Sequence, residues 1–194
     1  MIEEPVFPFF VAAFVTGCCT AIAGWFLGIA ELIAVHRLQP WVFTIGSVAV
    51  LTSRQAHCPP RLAIPGPCET SSLKYVVLDG GRCLFRRKLQ FRGSRWQTPL
   101  ELKGQLYWGD ENLVATGRYP IGVLVFFLGW LVAWSSFGLI FIIKGDLVGL
   151  PFWLVGWLFA GGSILYSGWL GRRRFLANLV ELETVLCTEP LVRQ

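Results

Sequence analysis

This chain predicts a helical membrane protein with a small antiparallel β domain inserted between its first and second spans. Three observations carry that expectation. The 194 residues are 54% hydrophobic and only 15% charged, whereas soluble domains are about one quarter charged. Three long stretches lack charge altogether. Between the first two lies a segment with the composition and turn chemistry of strands. The hydrophobic content also excludes a disordered chain.

The first stretch, Val6–Ala30, holds no ionisable group except Cys18 and Cys19. A helix needs roughly 20 apolar residues to cross about 30 Å of hydrocarbon. Ile121–Ile143 and Leu147–Leu170 meet the same requirement. Inside a bilayer the backbone must satisfy its own hydrogen bonds, so each run becomes a helix. Pro5, Pro8 and Pro151 suit first turns, where a missing N–H costs nothing. Trp41, Trp108, Trp153, Trp157 and Trp169 fall near span ends, where an amphipathic ring favours the headgroup layer. A fourth span over Trp41–Leu51 is too short at about 17 Å. The resulting divisions are 1–39, 40–119, 120–171 and 172–194.

Orientation follows from lysine and arginine. Three spans leave Glu31–Tyr119 and the tail after Gly171 on one side, with 16 of the 17 basic residues. The positive-inside rule makes that side cytoplasmic and puts the N-terminus outside, as in a bacterial inner membrane. Glu3 and Glu4 stand where a signal peptide carries basic residues, so the first helix is expected to remain as an anchor.

In the middle segment, Ser47–Thr52 is a β-branched run. Lys74–Leu78, an Asp-Gly turn and Arg82–Phe91 make one hairpin; Leu100–Trp108 and Asn112–Tyr119 make another. Four prolines make Cys58–Thr70 an irregular loop. The strands are expected to curl into a barrel-like or sandwich-like sheet docked on the helices. Arg172–Leu186 is expected to be helical, with Phe175, Leu176, Leu179, Val180, Leu182 and Leu186 on one apolar face. It either continues the third span or lies along the headgroups.

The most informative pattern is a small-residue seam. Ala13, Gly17, Ala21, Gly24 and Gly28 recur at spacings that keep them on one helical face. Such seams let backbones approach to contact distance. Packing within the chain accounts for it most simply, and docking on another polypeptide is the functional alternative. Gly129 and Ala133, with Trp130 and Trp134, supply a second face; Ser163 and Ser167 supply a third. Three helices are not expected to hide all of these faces from a partner.

Arg86, Arg87, Lys88, Arg92 and Arg95 form the densest basic run, with Arg172, Arg173 and Arg174 as a second cluster. Both are expected to face anionic lipid headgroups or a partner, beyond the general positive-inside bias. Phe85 and Phe91 offer two stacking platforms beside the charges, but a membrane-tethered strand makes a poor nucleic-acid groove, so no nucleic acid is expected.

No metal and no cofactor are expected. Cys58, Cys68 and Cys83 are ten and fifteen residues apart, with only His57 nearby, unlike paired zinc ligands. The six cysteines are not expected to make a disulfide framework, and Cys58, Cys68 and Cys83 are expected to stay reduced on the cytoplasmic side as buried or loop thiols. His36 as an axial ligand has no supporting motif. Glu31, near the inner end of the first span, is expected to snorkel to the interface rather than relay protons. No catalytic motif is present, which disfavours an enzyme.

The expected role is therefore an accessory or assembly subunit. It would dock through its small-residue and tryptophan-rich helix faces onto other membrane protein subunits. A membrane-anchored adaptor, sensor or immunity-type protein whose β domain binds a soluble partner is the alternative, and a membrane enzyme a third.

Overall fold

The computed structural model describes residues 6–55, 66–78, 81–88, 101–108, 112–145 and 149–188. Three long apolar helices and a six-stranded antiparallel sheet make up the protein. They fall into two compact units. One comprises Met1–Glu31 with Ile121–Tyr166, the other Leu32–Pro120 with Ser167–Gln194.

The first unit is helical. It takes most of α1 (Val6–His36), all of α3 (Ile121–Lys144) and the first half of α4 (Gly149–Thr188). Each of the three helices is long and apolar enough to cross a membrane. α1 and α3 meet along the glycine seam, and α3 and α4 meet through tryptophans. Phe7, Phe9, Leu158, Phe159 and Leu165 point outward, as lipid-facing residues do when hydrocarbon is the solvent.

The second unit is the sheet and what covers it. Its strands are β1 (Val48–Gln55), β2 (Gly66–Glu69), β3 (Leu73–Leu78), β4 (Arg82–Arg87), β5 (Lys103–Trp108) and β6 (Asn112–Arg118), in the order β1-β6-β5-β4-β3-β2. Register decides the faces, because alternate residues of a strand point to opposite sides. Tyr75 pairs with Phe85, Cys83 with Leu106, and Leu106 with Ala115. These residues form one core with Phe175, Leu179, Leu182 and Leu186 from the second half of α4. On the opposite face Leu84, Val76 and Leu78 pack with Ala34 and Val35 of α1, with Leu38 just past its end, and with Val42, Phe43 and Ile45. Val42 and Phe43 come from α2 (Pro40–Thr44).

Two expectations change. The sheet is open, not barrel-like: β1 and β2 are opposite edges, and helices cover both faces, so closure is not needed to bury the core. Gly66–Glu69, expected as loop, is a strand. Its Pro67 is tolerated because β2 lies at an edge. Trp41–Leu51 is, as expected, not a span; it holds most of a short helix, a turn and the start of β1. Arg172–Leu186 is helical as expected, and of its two alternatives it takes the first, continuing the third span within α4.

α1 ends in a Schellman motif. Gln39 N–H donates to Ala34 O and Leu38 N–H to Val35 O, both at 3.1 Å. The left-handed position that closes such a motif is usually glycine; here it is Leu38, at φ +52°. Its side chain packs into the α1–α2 cluster on the sheet, which offsets the backbone cost.

Candidate functional site

The seam in α1 closes on α3. A methyl carbon at Gly17 would lie 2.5 Å from the Ala133 nitrogen and 2.8 Å from the Gly129 carbonyl oxygen. One at Gly24 would lie 2.7 Å from Phe126 Cα, and Gly129 sits against the Ala21 backbone. Gly28 faces Gly122. Ala13 is half-buried on the same helix. Backbone thus touches backbone, and side-chain-free positions are required on both helices.

The tryptophans are engaged inside the chain as well. Trp130 and Trp134 stack with ring centroids 5.4 Å apart. Trp134 Nε1 donates to Trp153 O, and Trp153 Nε1 to Trp134 O, each at 3.2 Å. Gly138 receives the Trp153 ring and Gly156 the Trp134 ring. These reciprocal bonds satisfy indole N–H groups that hydrocarbon could not. Packing within the chain, the simpler expectation for the seam, is what these contacts show, and Trp134, expected to pack against a partner, engages Trp130 and Trp153 of its own chain. Ser167 is buried and Ser163 half-buried on α4, while Gly161 and Gly162 have no neighbour within 4 Å of where a side chain would begin.

A second construction holds the end of α1 to the sheet. Three cations, one each from β4, β5 and β6, bind backbone carbonyls at the end of α1 and in the connection to β1. Arg86 of β4 donates to His36 O at 3.1 Å, at the last residue of α1. Lys103 of β5, 2% exposed, donates to Val42 O at 2.8 Å and Ile45 O at 2.9 Å. Arg118 of β6 donates to Gly46 O at 3.1 Å. Helix C-termini present carbonyls without partners and carry the negative end of the dipole, so cations are favoured there. Gly46 has φ +105°, and a side chain on it would run into Tyr119 O.

The mirror arrangement lies at the start of α3. Glu31, 2% exposed, accepts the Gly122 N–H at 3.0 Å. It caps a helix N-terminus and does not snorkel to solvent, contrary to expectation; a carboxylate is the group that such an end favours.

The expected headgroup cluster divides. Arg86 is buried (6% exposed) and belongs to the carbonyl clamp, so it is withdrawn as a headgroup contact. Lys88 pairs with Glu69 at 2.9 Å, and Lys74 also contacts that carboxylate. Hydrogen bonds from Lys74 and Lys88 hold the Glu69 carboxyl down to about 2. Arg87 is half-buried; Arg92 and Arg95 lie outside the described residues. Arg172 and Arg173 are exposed, and Arg174 is half-buried. Arg87, Arg174 and Arg86 all act on Glu101, whose pKa burial nevertheless raises. Glu101 Oε1 has no hydrogen-bond partner among the described residues.

Cys83 is buried and its thiol is pushed up by burial. Cys18, Cys19, Cys68 and Cys83 are free, but Cys187 is disulfide-bonded, a departure from the expectation that the cysteines make no disulfide framework. His57 and Cys58 lie outside the described residues. Among the described residues no three His, Cys, Asp or Glu side chains gather as metal ligands would.

The least engaged part of the sheet is its β1 edge. β1 pairs with β6 along its length, and among the described residues no strand pairs with its other side. Leu51 is 69% exposed there, beside exposed Val48; Tyr107 is exposed on the same face. The other edge, β2, is half as long and carries Pro67. Sequence inspection identified β1 but gave no means of telling an edge strand from a central one. Compared with protein-family models, curated proteins and solved structures, the chain matches none.

Proposed function

We propose that this chain is a non-catalytic membrane component, an accessory or assembly subunit, that captures an extended segment of a partner along the open β1 edge. The observation that carries this reading is that edge: eight residues long, uninterrupted by proline, with Leu51 outward. Exposed edges present unpaired N–H and C=O groups, and proteins that do not use them blunt them with proline, charge or brevity, as β2 is blunted. The docking role expected for the α1 seam and the tryptophans moves to the sheet, because the helices spend those faces on one another.

Replacing Leu51 and Ser53 by lysine tests the proposal. Both are exposed, so the protein should remain folded while strand addition is blocked. A photo-crosslinker at Ser53 in the full chain, in its native membrane, should give a defined adduct that L51K removes. An unchanged adduct pattern in L51K overturns the edge as the docking site. A membrane-protein adduct supports the accessory-subunit role; a soluble one supports the adaptor or immunity-type alternative.

For placement we propose the orientation set by the charges, with the β unit and C-terminus cytoplasmic and the N-terminus outside, in a bacterial inner membrane or its equivalent. The asymmetry of 16 basic residues against one supports it. The Cys187 disulfide pulls the other way, since cytosolic thiols stay reduced. Trypsin decides: exposed Arg54 should be cut in inside-out vesicles and spared in intact spheroplasts. The reverse pattern would invert the topology.

A further inference from the structure

Five basic residues of the sheet unit are committed internally: Arg86, Lys103 and Arg118 to carbonyls, Lys74 and Lys88 to Glu69. Three exposed arginines are in no ion pair among the described residues and stand where an apolar span ends: Arg37, Arg172 and Arg173. Arg37 follows the last residue of α1. Arg172 is the first charge in α4. Each site has an exposed tryptophan within four residues, Trp41 beside Arg37 and Trp169 beside Arg172 and Arg173. On α4 the order is apolar Leu165, then Trp169, then the arginines, with Leu165 and Trp169 exposed.

We infer that Arg37, Trp41, Trp169, Arg172 and Arg173 form a headgroup-level binding site for anionic phospholipid. The sequence of hydrocarbon, indole and cation repeats the order of layers at a bilayer surface. With three spans, α1 leaves and α4 returns on one side, so both groups address the same leaflet. The Arg173 guanidinium lies over the Trp169 ring, 5.6 Å from its centroid. This contact holds the guanidinium beside the indole, and a guanidinium's planar fork of N–H donors matches a phosphate oxygen pair. A zwitterionic headgroup carries a compensating ammonium or choline and gains less from the same cations. Arg172 and Arg173 already belong to the headgroup contacts expected from sequence; Arg37, Trp41 and Trp169 join them, and Arg86, which is buried, does not.

The test uses the full chain in mild detergent, titrated with phosphatidylglycerol or with phosphatidylcholine of the same acyl chains, and bound lipid counted by native mass spectrometry. The wild-type chain should retain phosphatidylglycerol in preference. Each arginine near a headgroup is expected to account for roughly a fivefold change in retention. R37Q/R172Q/R173Q should therefore bind the two lipids alike, and W169L should weaken the preference. R54Q/R82Q, which removes two exposed arginines of the strands, should keep it. Equal binding of both lipids by the wild type, or full preference in the triple variant, overturns the site. Displacement of the lipid by inorganic phosphate at equal concentration also overturns it, since a lone phosphate would then be the ligand.

Discussion

Glu31 and Gly122 are 91 residues apart in sequence, yet the Glu31 carboxylate accepts the Gly122 amide N–H at 3.0 Å. The acidic group near the end of one apolar helix thereby caps the start of another. At the other end of the same problem, Lys103 supplies cations to carbonyls that a helix leaves behind. Charges in this low-charge chain are placed where helix ends need them.

Replacing Glu31 should separate charge from hydrogen bonding. E31L leaves a buried N–H without its acceptor and should cost about 1–3 kcal/mol. E31Q keeps an oxygen acceptor but loses the charge at the helix N-terminus, at about 0.3–1 kcal/mol. Thermal unfolding in micelles, followed by tryptophan fluorescence, reads the difference. Equal loss in both variants would show that the charge, not the bond, is what matters.

The carbonyl clamp makes a second prediction. K103M preserves an unbranched, buried stem but strips the donors from Val42 O and Ile45 O. A loss of about 1–3 kcal/mol is expected in denaturant titration. R54Q, at an exposed strand position, should stay within about 0.5 kcal/mol of wild type.

The glycine seam discriminates between neighbours four residues apart. At Gly24 an added methyl meets Phe126 backbone at 2.7 Å, whereas at Gly28 its nearest contact is an ordinary 3.7 Å. G24A should destabilise by about 1–3 kcal/mol and G28A by less than about 0.5 kcal/mol. Similar melting temperatures for the two variants would contradict the helix contact described.

Glu101 should confer a pH dependence of defined sign. Its folded-state pKa is raised, by burial acting against Arg87, Arg174 and Arg86. The folded state then holds a proton that the unfolded chain has released. Stability is lost as pH rises from the unfolded carboxylate range to the raised folded value. E101Q carries no such loss, so its melting temperature should exceed that of wild type at pH 7.5 and match it at pH 4. A variant less stable than wild type at pH 7.5 would mean that the three arginines prevail over burial.

The disulfide at Cys187 is open to direct chemical count. Denatured full chain treated with a polyethylene-glycol maleimide should gain additional mass steps after reduction. C187S should abolish the difference between reduced and unreduced samples.

Much of the architecture is legible along the chain, because a charge-free run longer than 20 residues and an Asp-Gly turn each announce themselves locally. The three helices and five of the six strands follow from such signals. β2 does not: four residues with a proline become a strand only because β3 offers them a ladder. The fates of the arginines were equally unreadable. Arg86 and Arg172 look alike in a charge count, but one is sealed against a helix end and the other is exposed.

By itself the sequence determined that three segments of this chain are apolar helices and that strands lie between the first two. Those outcomes depend on residue type and spacing over one or two turns. Tertiary structure alone decided that the seam of α1 faces α3, that α4 lines the sheet, and that β1 has no strand beyond it among the described residues. Each of these is a choice among partners with similar local chemistry. Partner choice is set by backbone approach, register and the need of every buried N–H and C=O for a bond, and those constraints exist only once distant segments meet.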